Sequence, residues 1–180
     1  TRYVLALSEL SELDKLREEN NELRKLVENR DILIEKTIIT APIVSLAYPA
    51  VGVGSIHGVE INNMVLFNGM LIGTIGEVDN YQSKVLLLSK SRKNKVLAKT
   101  ESGVEGVVDG DGKNILMTQI PNNAELVDGE RVVAIGQEGI ARNTFIGILK
   151  VIENNPSSPT KTAIIKQNVS FYDVVLLEVK

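Results

Sequence analysis

Residues 58–88 read GVEINNMVLFNGMLIGTIGEVDNYQSKVLLL, in which two apolar runs, 64–67 and 70–75, meet across Asn68-Gly69. A two-residue loop between right-twisted strands needs positive φ at both central positions. Asn and Gly adopt that conformation at least cost. The stretch therefore predicts a tight antiparallel hairpin with a type I′ turn. A third apolar run, 85–88, follows the polar connection 79–83 and adds another strand.

The chain downstream repeats this grammar of short strand, Gly-containing turn and short strand. Strands are expected at 96–99, 103–108, 115–120, 131–135, 145–152, 162–166 and 174–179. The turn residues are Gly110 and Gly112 in the segment 109–113, and Asp128-Gly129 before 131. Residues 136–143 form a Gly-containing loop, and ENNPSSPT at 153–160 a long polar one. Upstream of the hairpin, 43–46 and 50–53 read as two further strands and 54–58 as a turn. Strands this short, recurring every 8–12 residues or so, indicate a barrel or sandwich.

Residues 8–34 contain neither Gly nor Pro and follow a helical pattern. Leu13, Asn20 and Val27 at heptad position a, with Leu16 and Leu23 at d, keep the 3-4 apolar spacing of a coiled coil. In a parallel register Glu12 then faces Arg17 and Glu19 faces Arg24, both pairs opposite in sign. Asn20 at a buried a position favours a parallel dimer in one register, at some cost in stability. Leu10, Leu13 and Leu16 are spaced 3-3, which breaks the heptad at its start. A helix from Leu10 to Ile34 would extend roughly 37 Å. The plainer alternative is an amphipathic helix packed on its own β-body. The β-branched run 37–40 and Pro42 end the helix.

The 180 residues thus divide into a coiled-coil helix, 1–36, and two small antiparallel β-barrel domains, 37–95 and 96–180. The sequence leaves open whether the last strand, 174–179, closes the second barrel or returns to the first. With 4% aromatic residues and no Trp, Val, Ile and Leu must fill the core. A net charge of −3 gives no electrostatic case for nucleic acid. Absence of cysteine excludes disulfides and thiolate metal sites. The chain begins at Thr1 without Met or an apolar span of about 20 residues, so the natural protein is expected to be longer at its N-terminus, and any membrane anchor would lie before residue 1.

Catalytic and metal-binding patterns fare poorly. His57 is the only histidine, and no Ser stands in a nucleophile turn to join it. The glycines at 52, 54 and 58 have the wrong spacing for a dinucleotide fingerprint. Lys113 occupies the place where a calcium loop beginning at Asp109 needs an oxygen ligand. The segment 89–95, SKSRKNK, is strongly basic, but no other basic segment accompanies it in sequence. It therefore reads as a solvated loop rather than a phosphate or lipid contact. No catalytic, cofactor-binding or metal site is expected.

The order of these pieces resembles the MreC family of rod shape-determining proteins. The likeness rests on Gly54-Ser55 with Gly58-Val59, on Gly69 and Gly73, and on SKVLLL at 83–88. It continues through Gly103, Gly106, Gly110-Asp-Gly112, Asp128-Gly129 with Val132-Val133, Gly136, Gly139, Ile146-Gly147 and Lys150-Val151. The chain departs from the family around Gly136 and over 38–53. The resemblance implies a non-enzymatic, membrane-anchored scaffold outside the cytoplasmic membrane, in the periplasm. It implies homodimers, further self-association, and partners among MreD-like membrane proteins and class B penicillin-binding proteins. Two other plans join similar parts. A periplasmic adaptor of an efflux or secretion system should show a helical hairpin between two halves of a lipoyl-like domain, which this sequence lacks. A trypsin-like double barrel should carry a catalytic triad.

Overall fold

The computed structural model describes Leu16 and residues 38–90, 95–151 and 158–180. The chain divides into two units at Thr37/Ile38, and the β-body is the second, Ile38–Lys180. The coiled-coil positions Glu12, Leu13, Arg17, Glu19, Asn20, Leu23, Arg24 and Val27 lie outside the described residues. Leu16 is helical and exposed.

Among the described residues, twelve strands build the body. The first five are β1 (Ile39–Ser45), β2 (Ala50–Val51), β3 (Met64–Phe67), β4 (Met70–Val78) and β5 (Ser83–Leu87). Then come β6 (Val96–Thr100), β7 (Glu105–Gly110), β8 (Ile115–Pro121) and β9 (Arg131–Ala134). The last three are β10 (Phe145–Val151), β11 (Thr160–Lys166) and β12 (Leu176–Val179). Their pairings close two six-membered rings. The first runs β4-β3-β12-β1-β2-β5 and back to β4. The second runs β10-β9-β6-β7-β8-β11 and back to β10. A single parallel pair, Phe145 with Met70, joins β10 to β4.

The opening hairpin forms as its sequence requires. Asn68 and Gly69 have φ of 47° and 76°, and Phe67 pairs with Met70 across them. This hairpin is buried on both faces. Val65, Met70, Ile72 and Ile75 enter a core with Val51, Val85, Leu177 and Val179. Met64, Leu66 and Leu71 enter the other core, among Val96, Met117, Ile146 and Leu149. Side chains alternate across a strand, so one hairpin becomes the wall between two barrels. That is why its sequence is apolar at nearly every position.

The structure corrects several expected boundaries. The first strand begins at Ile39 and passes through Pro42, instead of starting at 43. Proline lacks an amide hydrogen, and Pro42 stands where β2 is ending. Its carbonyl still accepts from the Gly52 N–H at 2.7 Å. β4 runs nine residues instead of stopping at 75, because it continues past a bulge to pair Glu77 with Lys84. Residues 54–58 hold a short 3-10 turn, Ser55–His57. Gly110 is the last residue of β7, not a turn residue, and the turn proper is 111–114. A side chain at Gly110 would collide with the backbone of Ser89, so its role is close approach. Gly112 and Gly129 have φ of 98° and 89°. The Asp128 carboxylate accepts from the Val151 N–H at 2.9 Å. β12 pairs with β1 and β3, so the last strand belongs to the first ring.

Few polar contacts tie the rings together. The Gln167 side-chain amide donates to the carbonyls of Leu71 on β4 and Ile146 on β10, at 2.7 and 2.6 Å. The Gly112 N–H donates to Ser89 O at 2.8 Å. Gly139 lies so close to Asn62 that a side chain there would strike its carbonyl.

Candidate functional site

Every strand in both rings has two neighbours, so among the described strands no strand is left with a whole edge open for strand addition. A partner must then read a face or a loop, and the first ring has such a face. On β1, Ala41 points into the core while Pro42 and Val44 point out. Leu46 and Tyr48 continue beyond the strand, and both are exposed. Pro42 is the direct cross-strand partner of exposed Leu176, and Val175 beside it is 78% exposed.

Gly52 sits beneath this strip. A Cβ built there would lie 2.9 Å from Val44 Cγ1 and 3.2 Å from Pro42 Cγ, so the missing side chain lets both lie flat. Val44 also lines an open cleft of about 490 Å3 with Val78, Asp79, Asn80, Tyr81 and Gln82. Tyr81 is mostly exposed. Apolar centre and polar rim together are the composition of a docking surface. Covering a half-exposed Val or Leu recovers roughly 1 kcal/mol, half of what full burial gives. The contributing segments are 42–48, 78–82 and 175–176, too far apart for a linear reading to join. The available signal was the period-2 apolar run Pro42, Val44, Leu46.

The residues weighed for chemistry are engaged in structure. His57 Nδ1 accepts from the Gly54 N–H at 3.0 Å, closing the 3-10 turn. Asp111 accepts from the N–H groups of Lys113 and Asn114 at 2.8 and 2.7 Å, and from the Asn114 side chain at 3.0 Å. The hydrogen bonds from Asn114, then that from Lys113, lower its pKa from 3.8 to about 2. Asp109 is in an ion pair with Lys95 at 2.6 Å. Among the described residues no three His, Cys, Asp or Glu side chains gather as a metal site.

The family model for the rod shape-determining protein MreC, barrel core, matches residues 44–179. The chain belongs to the MreC family. Among solved structures, MreC of Listeria monocytogenes superposes with a TM-score of 0.72 at 25% identity, over 94% of this chain and 90% of that one. A structure described as the major periplasmic domain of the cell shape-determining filament MreC gives 0.67 at 16%, covering 79% and 94%. MreC of Helicobacter pylori, solved in complex with the penicillin-binding protein PBP2, gives 0.57 at 18%, covering 79% and 98%. No curated protein matches the chain in sequence.

Proposed function

We propose that this chain is a non-enzymatic scaffold of bacterial cell-shape determination, acting in the periplasm, that organises lateral peptidoglycan synthesis by holding synthesis enzymes in place. The observation that carries the reading is the family match over 44–179, which spans nearly all of the β-body. An MreC relative in complex with a penicillin-binding protein supports a partner of that class. MreD-like membrane proteins, and an anchor in the cytoplasmic membrane, are further parts of the proposal. The strip formed by Pro42, Val44, Tyr81, Val175 and Leu176 is the surface we assign to the penicillin-binding protein.

The test is capture of the full chain by the ectodomain of a class B penicillin-binding protein. Val44→Glu combined with Tyr81→Ala should weaken capture by about tenfold, ~1.4 kcal/mol, whereas Lys99→Glu on the second ring should not. Equal capture of all three proteins would remove the strip from the proposal. Failure to capture the unaltered chain would remove the partner.

The heptad reading of 13–27 supports a parallel homodimer, and the family resemblance implies higher self-association through the β-body. Sedimentation of the full chain at micromolar concentration should give a dimer, and Asn20→Leu should loosen its register or oligomer state. A monomer would refute the coiled-coil reading and leave the partner proposal standing. The periplasmic adaptor remains the second reading, without an observation that favours it.

A further inference from the structure

Where the two rings meet, a cleft of about 470 Å3 opens beside the end of β5. Its rim carries Lys90, Lys113, Lys150 and Lys166, all exposed, and no Asp or Glu lines it. The four come from different places: the segment after β5, the β7–β8 turn, β10 and the end of β11. Among the described residues the ion pairs are Lys84–Glu77 and Lys95–Asp109, so none of the four rim lysines is paired there. The floor is apolar, built from buried Ile72, Leu87, Ile165 and Phe171. Two nearby carboxylates are held by hydrogen bonds to residues of the cleft wall. Asp111 is bound into its own turn, and Asp173 accepts from the Ser170 N–H at 3.2 Å.

We propose that this cleft binds a compact, multivalent, phosphate-bearing anion, gripped by Lys90, Lys113, Lys150 and Lys166 across the junction of the two barrels. The whole chain carries a net charge of −3, so four lysines without an ion-pair partner among the described residues reverse the sign around this recess. A sphere of the cleft's volume is roughly 10 Å across, about one Debye length at physiological ionic strength, so every rim charge acts on an occupant. Lysine ammonium groups are mobile point charges suited to phosphate oxygens. Because Lys90 and Lys113 stand on two loops and Lys150 and Lys166 on the paired strands β10 and β11, a monovalent ion engages only one or two, whereas a polyphosphate or phosphodiester spans more of them.

The junction beneath the cleft is already tight. Gln167 clips β4 to β10, and Gly112 is hydrogen-bonded to Ser89. The occupant therefore meets a preformed recess and ties the first ring, through Lys90, to the second. The basic segment 89–95 is isolated in sequence, but the fold gives its Lys90 three companions. This site is separate from the apolar strip and does not depend on the scaffold reading.

The test is calorimetric titration of the full chain with inorganic tripolyphosphate, with chloride as a monovalent control and amide NMR shifts to locate the site. Saturable 1:1 binding is expected, with shifts at Gly112, Asn114 and Ser170, weakening as salt rises. Lys113→Glu with Lys166→Glu should weaken it more than tenfold, and the milder pair Lys113→Gln with Lys166→Gln severalfold. Lys84→Glu and Lys99→Glu, elsewhere on the surface, should leave it unchanged. Absence of saturable binding, or equal loss in the rim and control variants, overturns the proposal. Vesicles of phosphatidylglycerol in phosphatidylcholine separate the sources. Flotation that fails only for the rim variants identifies a lipid headgroup, and tripolyphosphate binding without flotation identifies a free anion. If the rim variants lose tripolyphosphate but still bind the penicillin-binding protein, the two surfaces act independently.

Discussion

Replacing Gln167 by Leu probes the junction of the two barrels at its most demanding point. The strands contribute one parallel pair there, Phe145 with Met70. The side-chain amide of Gln167 adds two short hydrogen bonds, to Leu71 O and Ile146 O. Leu71 and Ile146 are fully buried, whereas Gln167 is half-buried on the wall of the cleft, so water replaces the lost donor only in part. Two net hydrogen bonds contribute about 0.5–1.5 kcal/mol each, and each buried carbonyl left without a partner costs about 1–3 kcal/mol. The added apolar contact of Leu offsets part of that, giving an expected loss of about 2–4 kcal/mol. Urea unfolding followed by circular dichroism should show a lower midpoint at unchanged slope.

The isosteric Gln167→Glu sharpens the test, because it turns a carboxylate toward two carbonyl oxygens. Its folded-state pKa should rise above the ordinary glutamate value of about 4.3. Protonated, the side chain can still donate one hydrogen bond, so the variant keeps most of its stability below that value. It loses stability as pH rises through the raised folded-state pKa. Losses below about 0.5 kcal/mol for both variants, with no dependence on pH, would refute the idea that Gln167 holds the junction.

Two other expectations are more local. Gly69→Ala forces a Cβ into a φ of 76° and should cost about 1–2 kcal/mol in thermal or urea unfolding, whereas Gly69→Asn should cost less. Asp111 should titrate near 2 by carboxyl-carbon NMR. Its contribution to stability is present above the unfolded value of 3.8 and declines as pH falls toward 2, so Asp111→Ala should flatten the acid side of the stability profile between those values.

The hairpin around Asn68-Gly69 was legible because everything that decides it is local. The same holds for the Asp128-Gly129 turn. Pro42 misled, since proline usually opposes a paired strand, and only the position of β2's end makes it tolerable. Gly110 misled for the opposite reason. It sits among turn residues, but its small size serves the approach of Ser89, a contact made 21 residues away. The lysine-rimmed cleft was not legible, and of the apolar strip only the alternation of Pro42, Val44 and Leu46 was. Each gathers residues from three or more strands and turns, and outward-facing side chains carry no periodic signature that distinguishes one outer face from another. The two-faced wall hides similarly, because an unbroken apolar run reads only as buried.

That β12 belongs to the first ring sets the order in which the protein can be finished. Strands β1 to β5 leave the ribosome early, but their ring lacks its sixth member until residues 176–179 emerge. At about 5–20 residues per second, the gap between residue 88 and residue 176 lasts on the order of ten seconds. Over that interval β1 and β3 each present an unpaired edge beside an incomplete core. The second ring, encoded between them, can close in the meantime. A chain ending at Lys166 should therefore be cut by protease within 39–67 while 96–151 resists, and equal resistance in both regions would show that the first ring closes unaided. Strand β12 thus completes the first ring, and the outer face carrying Pro42, Val44 and Leu176 is assembled only once residues 176–179 have been made.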